Sequence, residues 1–249
     1  MLSYIFLAYA VIHLVVYFWG WRKWAELGRP TSLFLVLFGA TLLWYDNFRI
    51  GMGRFVGEGS TLYAMTVPAF AWHWSMIGIL VIAAGSLARL ADLSWSRSRI
   101  VMGLFCVAGV GLAALDIPKI FTMHLHPACL ADTVRYTTVV SAAQLCRPTD
   151  AVFAGSGADA ALVAIITNVI VLALGVVLWA KRGWPWLVFG PGVMFVAAGG
   201  FATSKWALPI SNLGEIFFNT SYVITCVHFA RQRVHTHQGQ PAAAIRQAA

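Results

Sequence analysis

The sequence predicts an all-α integral membrane protein, a seven-transmembrane helix bundle with its N-terminus outside and its C-terminus in the cytoplasm. Composition supports this class, because 60% of the 249 residues are hydrophobic and only 10% are charged, whereas soluble proteins are about 25% charged. The net charge is +8, but the basic residues lie in short runs at the ends of apolar segments. We therefore expect membrane lipid as a partner, and no nucleic acid.

Segment length supports the same class, because a helix needs about 20 mainly apolar residues to cross a bilayer. Seven segments approach that length. They run approximately over residues 2–20, 31–46, 64–87, 100–115, 160–180, 186–202 and 210–230. We expect residues 1–230 to form the transmembrane domain, and the polar, Ala-rich residues 231–249 to form a disordered cytoplasmic tail.

The distribution of Lys and Arg predicts the orientation. With the N-terminus outside, eleven of these residues fall in cytoplasmic segments and six fall outside, as the positive-inside rule requires. Cys129 and Cys146 then lie in the long external loop 116–159. An oxidising compartment permits a disulfide there. We expect a multi-pass protein of the plasma (inner) membrane with this disulfide.

A polar stretch follows the second span. If the helix continues outward, Asn47, Arg54 and Glu58 fall on one stripe at about 100° per residue. Asp46 lies on a neighbouring stripe with two glycines, which let another helix approach closely. The alternative is a solvated loop between two spans, because the glycine-rich sequence is a poor helix former.

The seventh span carries a second polar stripe, in which Asn212, Glu215 and Asn219 have the spacing i, i+3, i+7. A carboxylate inside a span is costly and faces a partner or a wet cavity. One interpretation is an ion pair with Arg49, Arg54 or Lys205. The other is a buried acid that delivers or accepts a proton.

The third span contributes His73, flanked by Trp72 and Trp74. A lone histidine in a helix is usually a packed, hydrogen-bonded residue, but it also serves as a base, a proton relay or a metal ligand. The two tryptophans lie away from the interfacial aromatic belts. We expect them to contribute to a substrate pocket.

The loop after the fourth span carries His124 and His126, which together with Asp116 are weak candidates for a metal site. Asp116 has an alternative partner in Lys119. The sequence pattern does not favour any particular cofactor. A divalent metal stays open as an alternative.

Two seven-span families are excluded by their residues. A retinal protein needs a lysine in the middle of the last span, and the zinc-dependent membrane hydrolases related to alkaline ceramidases need a late His-x3-His; neither is present. Small membrane-embedded terpene cyclases are similar in size and use acidic residues, but no motif of this chain establishes kinship with them.

Three functional classes remain. We favour a membrane-embedded enzyme that acts on a lipid or isoprenoid-like substrate by acid-base proton transfer, as a cyclase or isomerase does, in a cavity open toward the outer half of the bilayer. Its catalytic candidates are Glu58, Glu215, Asp46 and His73, and its substrate-orienting candidates are Asn47, Arg54, Asn212, Asn219, Trp72 and Trp74. The alternatives are a proton-coupled transporter, and a receptor, assembly subunit or metal-dependent lipid hydrolase.

Overall fold

The computed structural model describes residues 1–153, 157–201 and 206–238, without the side chains at 157–161 and 236–238. The described chain is mostly helical. Its helices are α1 (Leu2–Glu26), α2 (Thr31–Gly39), α3 (Leu43–Val56), α4 (Ser60–Leu90), α5 (Arg99–Thr122), α6 (Gly157–Arg182), α7 (Trp186–Gly200) and α8 (Ala207–Gln238). Two strands, β1 (His126–Leu130) and β2 (Thr133–Thr137), form an antiparallel hairpin between α5 and α6.

Five helical segments of the described chain are long and apolar enough to cross a membrane. They are α1, the combined segment Thr31–Val56 of α2 and α3, α4, α5, and Leu162–Arg182 of α6. The helix α7 is apolar but has only 15 residues, and the longer α8 carries the polar stripe of Asn212, Glu215 and Asn219. This composition is compatible with an integral multi-pass membrane protein. The helix α8 also runs to Gln238, past the expected start of the tail at residue 231.

The second predicted span is interrupted. The helix α2 ends at Gly39, residues 40–42 form a turn, and α3 begins at Leu43. The Thr41 hydroxyl donates to the carbonyls of Leu37 and Phe38 at 3.1 and 2.8 Å. Such side-chain bonds to backbone compete with the helical ladder. Here the hydroxyl satisfies the Leu37 carbonyl, because the Thr41 N–H donates to Phe38 instead. The second predicted span is therefore a discontinuous helix, and the sequence pattern did not predict this interruption.

The outward continuation of this span is helical, as one of the two alternatives predicts, but it stops at Val56. Gly57 has φ +74° and its N–H closes the last turn on Gly53. Only glycine adopts this left-handed conformation without strain. Glu58 therefore lies beyond the helix and leaves the predicted stripe.

The hairpin packs against α3 and α4 and defines what we call the hairpin end of the bundle. The Thr133 hydroxyl donates to the Ile50 carbonyl at 2.6 Å, and the Tyr136 ring contacts Tyr63. The predicted disulfide Cys129–Cys146 is present and ties β1 to the following loop. The helix α5 extends to Thr122, so Asp116 is a buried helical residue and not a loop residue.

The largest apolar core lies toward the opposite end. It joins buried side chains of α2, α4, α6, α7 and α8, among them Leu37, Leu87, Leu178, Leu187 and Tyr222. The Tyr222 hydroxyl donates to the Leu80 carbonyl at 2.9 Å. This packing leaves the polar side chains between the core and the hairpin end.

Candidate functional site

A partly open cavity of about 120 Å³ lies between the helices on the hairpin side of the core. Five elements line it: the α2–α3 turn with the start of α3, α4, α6, α7 and α8. Its lining residues are Gly39, Ala40, Leu42, Leu43, Asp46, Ala69, Trp72, His73, Met76, Ile77, Leu80, Ala164, Thr167, Asn168, Met194, Glu215, Phe218 and Asn219. The wall is mainly apolar, with a few polar groups, as is typical of small-molecule sites.

Helix geometry places the polar lining groups at one level. At 1.5 Å per residue, Asp46, His73, Asn168 and Glu215 lie roughly 12–20 Å along their helices from the hairpin end. In a helix that crosses a bilayer, residues at such a distance from the end belong to the apolar part, which is about 30 Å thick. The residues that sequence spacing singled out on three separate spans thus meet around one cavity.

Asp46 is held by a cation. Nε and Nη2 of Arg49 both donate to its Oδ1, at 2.9 and 2.7 Å, and the Arg49 side chain is only 4% exposed. Asp46 also lines the cavity, so this ion pair lies directly at the cavity wall.

Glu215 has no such partner. It makes no hydrogen bond or ion pair with the residues that the structure describes, although its carboxylate interacts electrostatically with that of Asp46. The ion-pair interpretation with Arg49 or Arg54 is therefore wrong, and Lys205 lies outside the described residues. A carboxyl group with no cation beside it favours its neutral, protonated form.

His73 and Trp72 lie together on the α4 wall. His73 is exposed and lines the cavity, so it connects the interior with the surroundings. The Trp72 Nε1 donates to the Gly39 carbonyl at 3.3 Å, which fixes its ring at the α2–α3 turn. Trp74 points elsewhere: it is buried against the Phe70 ring.

Asn47 and Asn212 do not line the cavity; they bond each other. The Asn212 Nδ2 donates to Asn47 Oδ1 at 3.0 Å, and Asn47 Nδ2 donates to the Leu43 carbonyl. Both residues are buried. This hydrogen bond joins α3 to α8, one residue from Asp46 and three from Glu215. It therefore helps to fix the positions of the two carboxyl groups relative to each other. Asn219, in contrast, lines the cavity itself.

Two further predicted site residues, Glu58 and Arg54, also lie away from the cavity. Glu58 pairs with Arg147 at 3.0 Å near the surface, because the helix stops before it. Arg54 pairs with Asp132 at 2.8 Å and lies over the Tyr4 ring. The structure thus places both at the hairpin, where they tie loops together.

The metal candidates are also dispersed. Asp116 pairs with Lys119 at 2.6 Å, His124 is exposed, and His126 stacks on Phe153. Among the described residues, no three His, Cys, Asp or Glu side chains are grouped as a metal site would require.

Sequence reasoning missed three polar residues here. Thr167 and Asn168 of α6 line the cavity, and their Oγ1 and Oδ1 atoms lack any hydrogen bond to the described residues. His13 of α1 is buried near Asp46, and its Nε2 is equally unpartnered. The sequence does contain a signal for all three, because each is a polar residue inside a long apolar run. Buried polar atoms without partners mark places where water or a ligand group is expected.

Comparison of the chain with protein-family models, with curated proteins and with solved structures finds no match. The functional argument therefore rests on the cavity.

Proposed function

We propose that the protein is a membrane-embedded acid-base enzyme that moves a proton within an apolar, lipid or isoprenoid-like substrate. The observation that carries this proposal is the meeting of Asp46, Glu215 and His73 around one mainly apolar cavity. Titratable groups converging in a pocket are the usual marker of a catalytic site. Their location favours a substrate that enters from the bilayer.

The two carboxyl groups have different surroundings, which suits them to opposite roles. Asp46, paired with Arg49, acts as the base. Glu215, without a cation, acts as the acid. In an alkene isomerisation, Glu215 adds its proton to one carbon of the double bond, which leaves a cation on the other carbon. Asp46 then removes a proton from the next carbon of the chain, beyond the cation. The double bond moves, and the proton returns from Asp46 to Glu215 through His73 or water.

Other lining groups support this step. The face of Trp72 stabilises a developing cation, and the amides of Asn168 and Asn219 orient a polar group of the substrate. A cavity of about 120 Å³ is close in size to a cavity of about 150 Å³ that holds benzene. It therefore accommodates the reacting end of a chain and favours isomerisation over the folding of a long polyene into rings.

We further propose seven spans, the seventh being α8, with the N-terminus and the hairpin on the external side. The disulfide Cys129–Cys146 supports an oxidising environment for that side. Under this orientation the cavity belongs to the outer half of the bilayer, and the protein belongs to the plasma (inner) membrane.

A proton-coupled carrier is the second candidate. The break at residues 40–42 favours it, because discontinuous helices often form the binding sites of transporters. The apolar core around Leu37, Leu87 and Tyr222 disfavours it, since a carrier needs polar groups through its full depth.

Incorporation of solvent deuterium tests the enzyme proposal without knowledge of the substrate. The purified protein is placed in nanodiscs of total membrane lipid in D₂O, and the extracted lipids are analysed by mass spectrometry. We expect deuterium on carbon in one lipid class, and Glu215→Gln to lower this rate by about 100-fold or more. The control Glu26→Gln, at an exposed helix end, should keep the rate. Absence of deuterium, together with proton or solute flux in liposomes that Glu215→Gln abolishes, would favour the carrier.

A further inference from the structure

A second charged group lies on the hairpin side of the cavity. Arg49 of α3 is buried and uses Nε and Nη2 on Asp46, while its Nη1 is 3.5 Å from the Thr66 hydroxyl. Arg135 of β2 projects toward the same place and interacts electrostatically with both Arg49 and Asp46. Two guanidinium groups are therefore near one carboxylate, which forms its ion pair with Arg49.

Arg135 has no partner of its own. Its Nε is sealed from solvent without an acceptor, and the side chain makes no hydrogen bond or ion pair with the described residues. No acid with a described side chain forms an ion pair with Arg135: Asp150 and Glu215 do not reach it, and the other six pair with other cations. These six are Glu26, Asp46, Glu58, Asp92, Asp116 and Asp132.

Arg135 nevertheless keeps its charge. Burial lowers the pKa of Arg135 to about 10, and the nearby Arg49 contributes to the lowering. The group is still protonated at neutral pH. The cluster of Arg49, Arg135 and Asp46 therefore carries one uncompensated positive charge, which is costly in a partly buried environment.

An anion would balance this charge. Guanidinium groups bind carboxylate and phosphate oxygens through paired N–H donors, and the buried Nε of Arg135 has no acceptor among the described residues. The cluster lies about one helical turn beyond the cavity, because Arg49 follows Asp46 by three residues on α3. An oxyanion at Arg135 and an apolar chain in the cavity would fit a single amphiphilic molecule.

We propose that Arg135, with Arg49, binds the oxyanion head group of a single-chain amphiphile whose apolar end enters the cavity beside Asp46 and Glu215. This inference rests on the proposed function, because it names the substrate class of the same site. It assigns Arg135 as the residue that distinguishes an anionic amphiphile from the corresponding alcohol.

Calorimetric titration of the detergent-solubilised protein tests this inference with three probes: geranyl monophosphate, geraniol and inorganic phosphate. We expect geranyl monophosphate to bind at least about tenfold more tightly than geraniol, the difference that one charge-assisted hydrogen bond provides. Arg135→Met should remove this difference and leave geraniol binding unchanged, while Arg135→Lys should keep part of it. The matched control is Arg147→Met, since Arg147 lies in the same loop but is exposed and paired with Glu58.

Two kinds of outcome would overturn the inference. One is equal affinity for the phosphate and the alcohol, or no effect of Arg135→Met. The other is binding of inorganic phosphate as tight as that of geranyl monophosphate, which would indicate a site for free anions. The calorimetric titration measures binding of geranyl monophosphate to the unchanged protein without any turnover. If no deuterium is incorporated but geranyl monophosphate still binds more tightly than geraniol, the proton transfer is rejected and the head-group site is not.

Discussion

Asp46 and Glu215 line the same cavity and differ in what surrounds them. Asp46 shares its Oδ1 with two nitrogens of Arg49, whereas Glu215 has no cation partner among the described residues. Breaking a buried ion pair leaves a charge without compensation, but replacing an unpaired acid by its amide removes no favourable contact. The two carboxyl groups should therefore respond in opposite ways to neutralisation.

We expect Asp46→Asn to lower the free energy of unfolding by about 3 kcal/mol or more, because Arg49 and Arg135 then lack any counter-charge. Glu215→Gln should leave it unchanged within about 1 kcal/mol or raise it slightly. Thermal unfolding of the purified variants measures both. A loss for Glu215→Gln as large as that for Asp46→Asn would mean that Glu215 has a structural ion pair.

At this scale the sequence located part of the site. Helical spacing and the cost of polar groups in a membrane singled out Asp46, His73 and Glu215, and the structure places all three on the cavity; their catalytic roles stay predictions. Glu58 is misplaced because the spacing argument assumed that the helix continues through Gly57. Asn168 was missed because the apolar residues around it dominate its span.

At the scale of elements, the interruption between α2 and α3 shapes the cavity. It brings Gly39 and Leu43 to the wall and exposes the Gly39 carbonyl, to which the Trp72 indole donates. Apolar composition predicts a span but not such an interruption, since it depends on how Thr41 and Trp72 satisfy the freed carbonyls. The hairpin was missed as well, although its second strand is rich in β-branched and aromatic residues.

Removing the indole donor tests the role of this interruption. We expect Trp72→Phe to lower the free energy of unfolding by about 1 kcal/mol or more, because the Gly39 carbonyl loses its donor in an apolar environment. Trp74→Phe is the matched control, because Trp74 is buried but donates no hydrogen bond to the described residues. Chemical denaturation in detergent compares the two. Equal losses of unfolding free energy in the two variants would contradict this role, because they would mean that only the packing of the ring contributes.

The contact between α3 and the hairpin depends on Gly53. A Cβ atom at this position would lie 1.7 Å from the Val134 carbonyl oxygen, so the hairpin would have to move. We expect Gly53→Ala to lower the free energy of unfolding by about 1–3 kcal/mol and to raise the protease sensitivity of the loop.

Gly111→Ala provides the control, because a Cβ atom there meets nothing within 4 Å. This change in α5 should leave the protein unchanged or stabilise it by up to about 1 kcal/mol, as alanine is the better helix former. Limited proteolysis and thermal unfolding distinguish the two variants. An intact hairpin in Gly53→Ala would contradict the close approach.

At the scale of the whole molecule, packing and chemistry occupy different parts. The apolar core of α2, α4, α6, α7 and α8 lies toward one end, and the cavity and the charged cluster lie toward the hairpin. Sequence composition predicted a helical membrane protein with its ionisable groups on one side, because charges within a bilayer must face a partner or a cavity. It predicted a cavity on that side but not which five elements line it, because that depends on how they pack.

A cryo-electron microscopy structure of the protein in nanodiscs of its native lipids tests the central claim most directly. The predicted result is elongated density in the cavity, in contact with Asp46 and Glu215, continuing to an oxyanion at Arg135. A continuous aqueous passage from the cavity through the core around Leu37 and Tyr222 to the opposite end would contradict an intramembrane enzyme. A cavity closed by side chains, without any bound molecule, would contradict it as well.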